Sequence, residues 1–239
     1  GLAEAQKRIQ AAIENEETEL DLSNLELTHI PKELGQLNNL TSLSLDHNQL
    51  THIPKELGQL NNLTSLSLDH NQLTEIPQEL SQLKKLISLF IDYNQLSKVP
   101  DCIAYLSNLE RIDLNDNQLQ VLPIFLEKLP KLEALLLHNN ASLKIPVEIL
   151  GPTYEEVNDG ATAANPADIL NYYFRIQANH QPLNEAKLIL VGFGAVGKTS
   201  LANRLIHRTF DPNSQKTEGI NITPWPQQLN QSLDITLHV

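Results

Sequence analysis

The sequence predicts an α/β protein: a solenoid with helical caps, followed by the start of a nucleotide-binding fold built around a phosphate loop. Three observations predict it. Prolines recur at Pro31, Pro54, Pro77, Pro100, Pro123 and Pro146, always 23 residues apart, and a fixed period in the twenties marks stacked units. Helical apolar patterns stand before and after those units. Finally, "LILVGFGAVGKTS" (188–200) sets a glycine-rich turn between an apolar run and a helical one.

The first element is a helix within residues 1–18. Leu2, Ala5, Ile9, Ala12 and Ile13 fall on one helical stripe with Glu and Gln elsewhere, which suits a lid over the open end of a core. Six units of 23 residues follow, over residues 19–150. "LTSLSLDHNQLTHIPKELGQLNN" (40–62) is repeated almost word for word from Leu63. The pairs Leu43/Leu45, Leu66/Leu68, Leu89/Ile91, Ile112/Leu114 and Leu135/Leu137 alternate as inward residues of short strands. Leu57/Leu60, Leu80/Leu83, Ile103/Leu106 and Leu126/Leu129 close the core from the convex side at the spacing of one helical turn. Asn48, Asn71, Asn94, Asn117 and Asn140 form a column whose buried amides satisfy backbone groups at each bend, a structural role. The terminal units depart from the pattern, with Glu17 and Leu25 in the first and Ser142 in the sixth, as end units do. The unit matches LxxLxLxxNxLxxIPxxLxxLxx, the leucine-rich repeat pattern.

Stacked units of this kind make a parallel sheet with a concave face. Its outward columns are Asp21, Ser44, Ser67, Phe90, Asp113 and Leu136; then Ser23, Asp46, Asp69, Asp92, Asn115 and His138; then Asn24, His47, His70, Tyr93, Asp116 and Asn139. The face is acidic, with an aromatic island. Phe90, Tyr93, Asp46, Asp69, Asp92 and Asp113 are therefore the candidate protein-binding residues. His47 and His70 lie on neighbouring rungs, but two imidazoles with no clear third ligand fall short of a metal site.

Net charge is −12, and residues 1–150 hold 21 of the acidic residues against 11 basic ones. Such a surface repels nucleic acid and anionic lipid. No apolar run approaches the roughly 20 residues of a membrane helix. No signal peptide is read at the start, and Cys102 is the only cysteine, so the expected compartment is the reducing cytoplasm. The chain opens with Gly1 and contains no Met, so it reads as an excised segment.

The period ends at Leu150. "GPTYEEVNDGATAANPA" has no leucine rhythm and reads as a linker within 151–185. A capping helix is expected over 166–178. Asn165 serves as N-cap and Pro166 as first helical residue; Ile169, Tyr173 and Ile176 form a stripe, with Leu170 and Phe174 beside it.

From Lys187 to Val191 the sequence is of buried-strand type, and Gly192, Gly197, Lys198 and Thr199 then fit GxxxxGK[ST]. The glycines let successive N–H groups point at one anion, and the following helix adds its positive end. Lys198 reaches the outer phosphates and Thr199 places its hydroxyl on Mg²⁺. Gly194 and Ala195 are small enough for close approach of a γ-phosphate. The polar stretch "TFDPNSQKTEGINITPW" carries Thr217. "GINITPW" starts a strand, "PQQLNQ" reads as a turn, and "SLDITLHV" alternates as a second strand. Helix, polar loop with a threonine, then a strand pair is the order of Ras-like GTPases.

Leucine-rich repeats, a capping helix, "PLNEAKLILVG…GKTSL" and "TEGINITPW", in that order, resemble a Roco protein of the bacterial type. The resemblance implies a Ras-of-complex (Roc) GTPase domain opening at 186–239, followed in the family by a dimerising COR domain. It implies GTP or GDP with Mg²⁺ as ligand. It assigns nucleotide contacts to Gly192, Gly194, Ala195, Val196, Gly197, Lys198, Thr199 and Ser200, and puts Thr217 in the first switch. Thr199 and Thr217 are the residues it places at Mg²⁺. No residue is assigned as catalytic. The sequence stops before the DxxG element and the guanine-reading loop, so the fragment itself is expected to be inactive. Guanine rather than adenine comes from the family alone. A stand-alone interaction solenoid and the sensor of an ATP-using signalling NTPase are the alternative readings.

Overall fold

The computed structural model describes residues 1–178, 185–187, 224–228 and 234–238, which fall into two compact units, Gly1–Ile176 and Gln177–Val239. In the first, six three-residue strands stack in chain order: β1 (Glu19–Asp21), β2 (Ser42–Ser44), β3 (Ser65–Ser67), β4 (Ser88–Phe90), β5 (Arg111–Asp113) and β6 (Ala134–Leu136). All neighbours are parallel, and Leu20, Leu43, Leu66, Leu89, Ile112 and Leu135 align in register. The strands are short because the chain must turn inward on both sides of each to bring the next leucines into one core.

Each proline of the 23-residue period ends an extended segment. The chain opens with the helix α1 (Leu2–Glu14); after Pro31, Pro54, Pro77, Pro100 and Pro123 it makes a 3-10 turn, and after Pro146 the α-helical turn α2 (Val147–Leu150). Leu57, Leu60, Leu80, Leu83, Ile103 and Leu106 are buried behind those turns. Cys102 lies among them, and burial pushes its thiol up to about 11.

The asparagine column works as hydrogen-bond glue. Asn71 donates to the carbonyls of Leu45 and Leu68, both at 3.0 Å, and accepts from the Leu50 N–H at 2.9 Å. Asn48 repeats the arrangement one rung earlier on Leu22, Leu45 and Leu27. A leucine side chain at these positions would leave several buried backbone groups unpaired, each worth about 1–3 kcal/mol.

Helix α1 closes one end through Ala5, Ile9 and Ala12. Arg8 donates to Glu4 on the same helix and to the Asp21 carbonyl at the edge of β1, each at 2.9 Å. Leu2, placed in the apolar stripe by sequence, is exposed at the first turn. At the other end, α4 (Pro166–Ala178) buries Ile169, Leu170 and Tyr173, and the Tyr173 hydroxyl accepts from the Leu122 N–H at 3.1 Å. Asn165 caps it, its Oδ1 accepting from the Ala167 N–H at 3.0 Å. Ile176 departs from the expected stripe: it sits in the last turn and is exposed.

Residues 151–165 are not a plain linker. Thr153 and Glu156 form a capping box at the start of α3 (Tyr154–Asn158). Gly151 has φ 72°, and a Cβ there would stand 2.6 Å from Cβ of Ala164. The two ends of the segment thus touch, and the residues between them form a closed strap.

The second unit contains β7 (Glu185–Lys187), β8 (Pro224–Gln228) and β9 (Asp234–His238), in the order β7-β9-β8. β7 runs parallel to β9, and β8 antiparallel to it. Sequence reasoning read a turn from Pro226 onward, but the strand continues through Gln228. Pro224 and Pro226 have the same parity, so both nitrogens face one side and Trp225 and Gln227 remain to pair with β9, the arrangement an edge strand tolerates. No helix among the described residues is long and apolar enough to cross a membrane.

Candidate protein-binding face and nucleotide site

Just past each strand the chain turns through a left-handed residue: Asn24, His47, His70, Tyr93, Asp116 and Asn139 all have φ between 49° and 59°. Asn and Asp accept this conformation readily, whereas a bulky side chain is strained by roughly 1–2 kcal/mol. Three rungs nevertheless carry rings there. The rings form a continuous ladder, His47 on His70 at 4.1 Å between centroids and His70 on Tyr93 at 4.2 Å. Tyr93 is 48% exposed. Strain retained at an exposed position is a pointer to function rather than folding.

Beside the ladder runs the column Asp46, Asp69 and Asp92. Ser44 and Ser67 donate to Asp46 and Asp69 and fix their carboxylates. Burial, with Asp69 as the next cause, pushes Asp92 up to about 6. The Tyr93 hydroxyl is raised chiefly by the charge of Asp116. Rungs two to four present no Lys or Arg from β2–β4 or the left-handed turns that follow them; Arg111 enters only on rung five, opposite Ser88.

The other half of the face is covered. Tyr154 of the strap packs edge-on against Phe90, with ring centroids 6.0 Å apart. The Gly151 carbonyl lies 3.1 Å from His138 Nε2, which must donate because a carbonyl only accepts. Nδ1 of His138 is left with no partner among the described residues. Under this cover Asp113, Leu136, Asn115 and His138 are buried, although their columns face outward in every other rung. Asp113, read from sequence as part of the docking surface, is 1% exposed. Its Oδ1 accepts from the Asn115 N–H at 2.9 Å, its Oδ2 has no partner among the described residues, and burial with the charge of Asp92 pushes it up to about 7. Phe90 is only partly exposed.

The structure therefore brings together Asp46, Asp69, Asp92 and Tyr93 on an open half, and takes Asp113 out of it. Sequence reasoning missed Tyr154 as the cover, although Thr153-x-x-Glu156 spells a helix start. It also missed the further outward column Glu19, Ser42, Ser65, Ser88, Arg111 and Ala134, which period-two alternation places on the same face as Ser44 and its equivalents.

The phosphate-loop residues Gly192, Gly194, Ala195, Val196, Gly197, Lys198, Thr199 and Ser200, and the switch residue Thr217, lie outside the described residues. What is described is the frame around them. The loop follows β7, whose parallel partner is β9, and ligands of open α/β sheets bind beyond the carboxyl ends of such strands.

A family model described as "Leucine-rich repeat region" matches residues 19–148, and one described as "Ras of Complex, Roc, domain of DAPkinase" matches residues 187–239. No curated protein matches the chain. Among solved structures, a leucine-rich repeat protein of Leptospira interrogans is 36% identical, over 53% of this chain and 39% of that one, with TM-score 0.44. Internalin C2 of Listeria monocytogenes is 33% identical, over 55% and 56% of the two chains, with TM-score 0.49. The BIR2 ectodomain of Arabidopsis thaliana is 34% identical, over 45% and 59%, with TM-score 0.41. The chain thus spans less than two thirds of each of these three.

Proposed function

Because the chain belongs to the leucine-rich repeat family and carries the opening segment of a Roc domain behind its repeats, we propose that it is the partner-binding, regulatory part of a Roco GTPase. The repeats, residues 19–150, recruit a protein on the concave face. The segment 186–239 opens the guanine-nucleotide domain whose state the recruited partner reads or sets. The open half of the face carries this reading: an exposed ring ladder held in strained backbone, beside carboxylates on rungs that set no Lys or Arg on the same outward columns. That chemistry fits a basic partner whose association is steered by charge and slowed by salt.

The nucleotide part rests on the motif and on the Roc match. Gly192, Gly194 and Gly197 would leave room for phosphate oxygens against the backbone, with Ala195, Val196 and Ser200 contributing N–H groups. Lys198 would oppose the charge of the outer phosphates. The hydroxyls of Thr199 and Thr217 would face Mg²⁺, which when bound neutralises charge developing on the phosphates. The order β7-β9-β8, one parallel and one antiparallel pair, supports this reading because the strand that precedes the phosphate loop in sequence has a parallel partner, as strands of nucleotide-binding α/β sheets do.

The test uses the protein carrying its complete Roc domain. Fluorescent GTP should bind, a tenfold excess of ATP should not displace it, and Lys198→Ala should abolish binding with no loss of the solenoid's thermal transition. Displacement by ATP would favour an adenine-using NTPase, and nucleotide affinity surviving Lys198→Ala would place the phosphate site elsewhere.

A further inference from the structure

We propose that His47, Asp69 and His70 form a binding site for a zinc-class divalent ion on the open half of the concave face. The proposal is independent of the nucleotide reading and of the identity of any protein partner. The sequence offers two imidazoles one repeat apart, and the fold supplies the missing third ligand. One ligand atom from each of the three residues lies within 4.8 Å of the other two.

The arrangement follows from the repeat. His47 and His70 occupy the same left-handed turn position on successive rungs, with φ 52° and 50°, so translation along the solenoid places one ring over the other. Asp69 immediately precedes His70 and faces outward. Its Oδ2 lies 3.1 Å from His70 Nδ1, and Ser67 donates to its other oxygen. That separation is already close to the spacing of neighbouring ligand atoms around a small divalent ion, so an ion that replaces the shared proton can take His70 through Nδ1 and Asp69 through Oδ2. Each Asp69 oxygen keeps a second lone pair.

Tetrahedral zinc with bonds of about 2.0–2.1 Å sets its ligand atoms about 3.3 Å apart. The ligand–ligand separations therefore need to shorten by at most about 1.5 Å. His47 can supply the movement, because its side chain is exposed. The two rings are tilted by only 27°, and a ligated ion lies in the plane of each ring, so binding must swing His47 out of the stack. Three protein ligands leave one position open towards solvent. The flanking Asp46 and Asp92, with no cation on the outward columns of these rungs, raise the local concentration of any divalent ion.

The experiment is calorimetric titration of the metal-free 239-residue chain with Zn²⁺, with the thermal midpoint measured in parallel. The expected result is one saturable site that raises the midpoint. His47→Gln and Asp69→Asn should each weaken it at least about tenfold, while His29→Gln and His52→Gln leave it unchanged. His47→Gln, at an exposed position, should melt like the parent when zinc is absent, which separates loss of a ligand from loss of fold. Absence of saturable binding, or binding that survives both His47→Gln and His70→Gln, would overturn the proposal.

Discussion

Replacing Asp113 by Asn should stabilise the protein, and only at neutral to alkaline pH. A carboxyl that ordinarily titrates near ~3.9 is held at about 7, first by burial and then by the charge of Asp92. Because the folded value lies above the unfolded one, the native state binds more protons than the unfolded state between roughly pH 4 and pH 7. Stability therefore falls as pH rises through that window. At ~1.36 kcal/mol per pH unit, the ionised buried group costs about 4 kcal/mol by pH 8. Asn removes this charge and can still accept from the Asn115 N–H through its carbonyl oxygen. Its NH₂ then takes the place of the unpartnered Oδ2, and leaving that donor unsatisfied returns about 1–3 kcal/mol. The expected net gain is about 2 kcal/mol near pH 8, with no gain near pH 4, where Asp113 is already neutral. Differential calorimetry of parent and variant at both pH values measures it, and comparing the two at each pH cancels the titration of the rest of the surface. A variant destabilised at both pH values, or shifted equally at both, would refute the claim that Asp113 is a charged group trapped under the strap.

Tyr154→Ala should loosen the strap, since an edge-to-face pair such as Tyr154 and Phe90 contributes about 0.5–1.5 kcal/mol beyond its buried area. Hydrogen exchange should quicken across 151–164 and leave β1–β4 untouched; unchanged exchange would mean that the cover does not depend on that ring. Tyr93→Asn should leave stability within about 1 kcal/mol of the parent, because relief of the left-handed strain offsets loss of the stack on His70. Urea denaturation measures this, and a loss above about 2 kcal/mol would make the ring a folding device instead of a surface one.

The parts of the fold that were legible are those the repeat writes several times. An inward leucine at Leu43 is one reading of five equivalent positions, and the amide of Asn71 does what Asn48 and Asn94 do on either side. Redundancy of this kind makes a 23-residue word readable without any partner being known. The candidate site was legible to the same extent: the period showed that Asp46, Asp69, Asp92 and Tyr93 face outward. It could not show that His47, Asp69 and His70 converge, because convergence depends on the left-handed turn and not on the spacing alone.

The strap is the opposite case. Tyr154 meets Phe90 across 64 residues and Gly151 meets His138 across 13, and neither contact recurs anywhere in the solenoid. Periodicity fixes which side of the sheet a residue faces, but whether that side is wet depends on a segment outside the period. The same columns therefore have two chemistries. At rungs two and three the carboxylates are held by serine hydroxyls and remain partly exposed; at rung five the equivalent face is roofed, and Asp113 is driven toward its neutral form. An acidic composition thus overstates the charge a partner would meet, and the effective negative surface is narrower than the sequence implies, centred on Asp46 and Asp69. A partner engaging more than that half must displace Tyr154 from Phe90, and the free energy of that displacement, set by one aromatic pair and one histidine hydrogen bond, is small enough for an ordinary interface to supply.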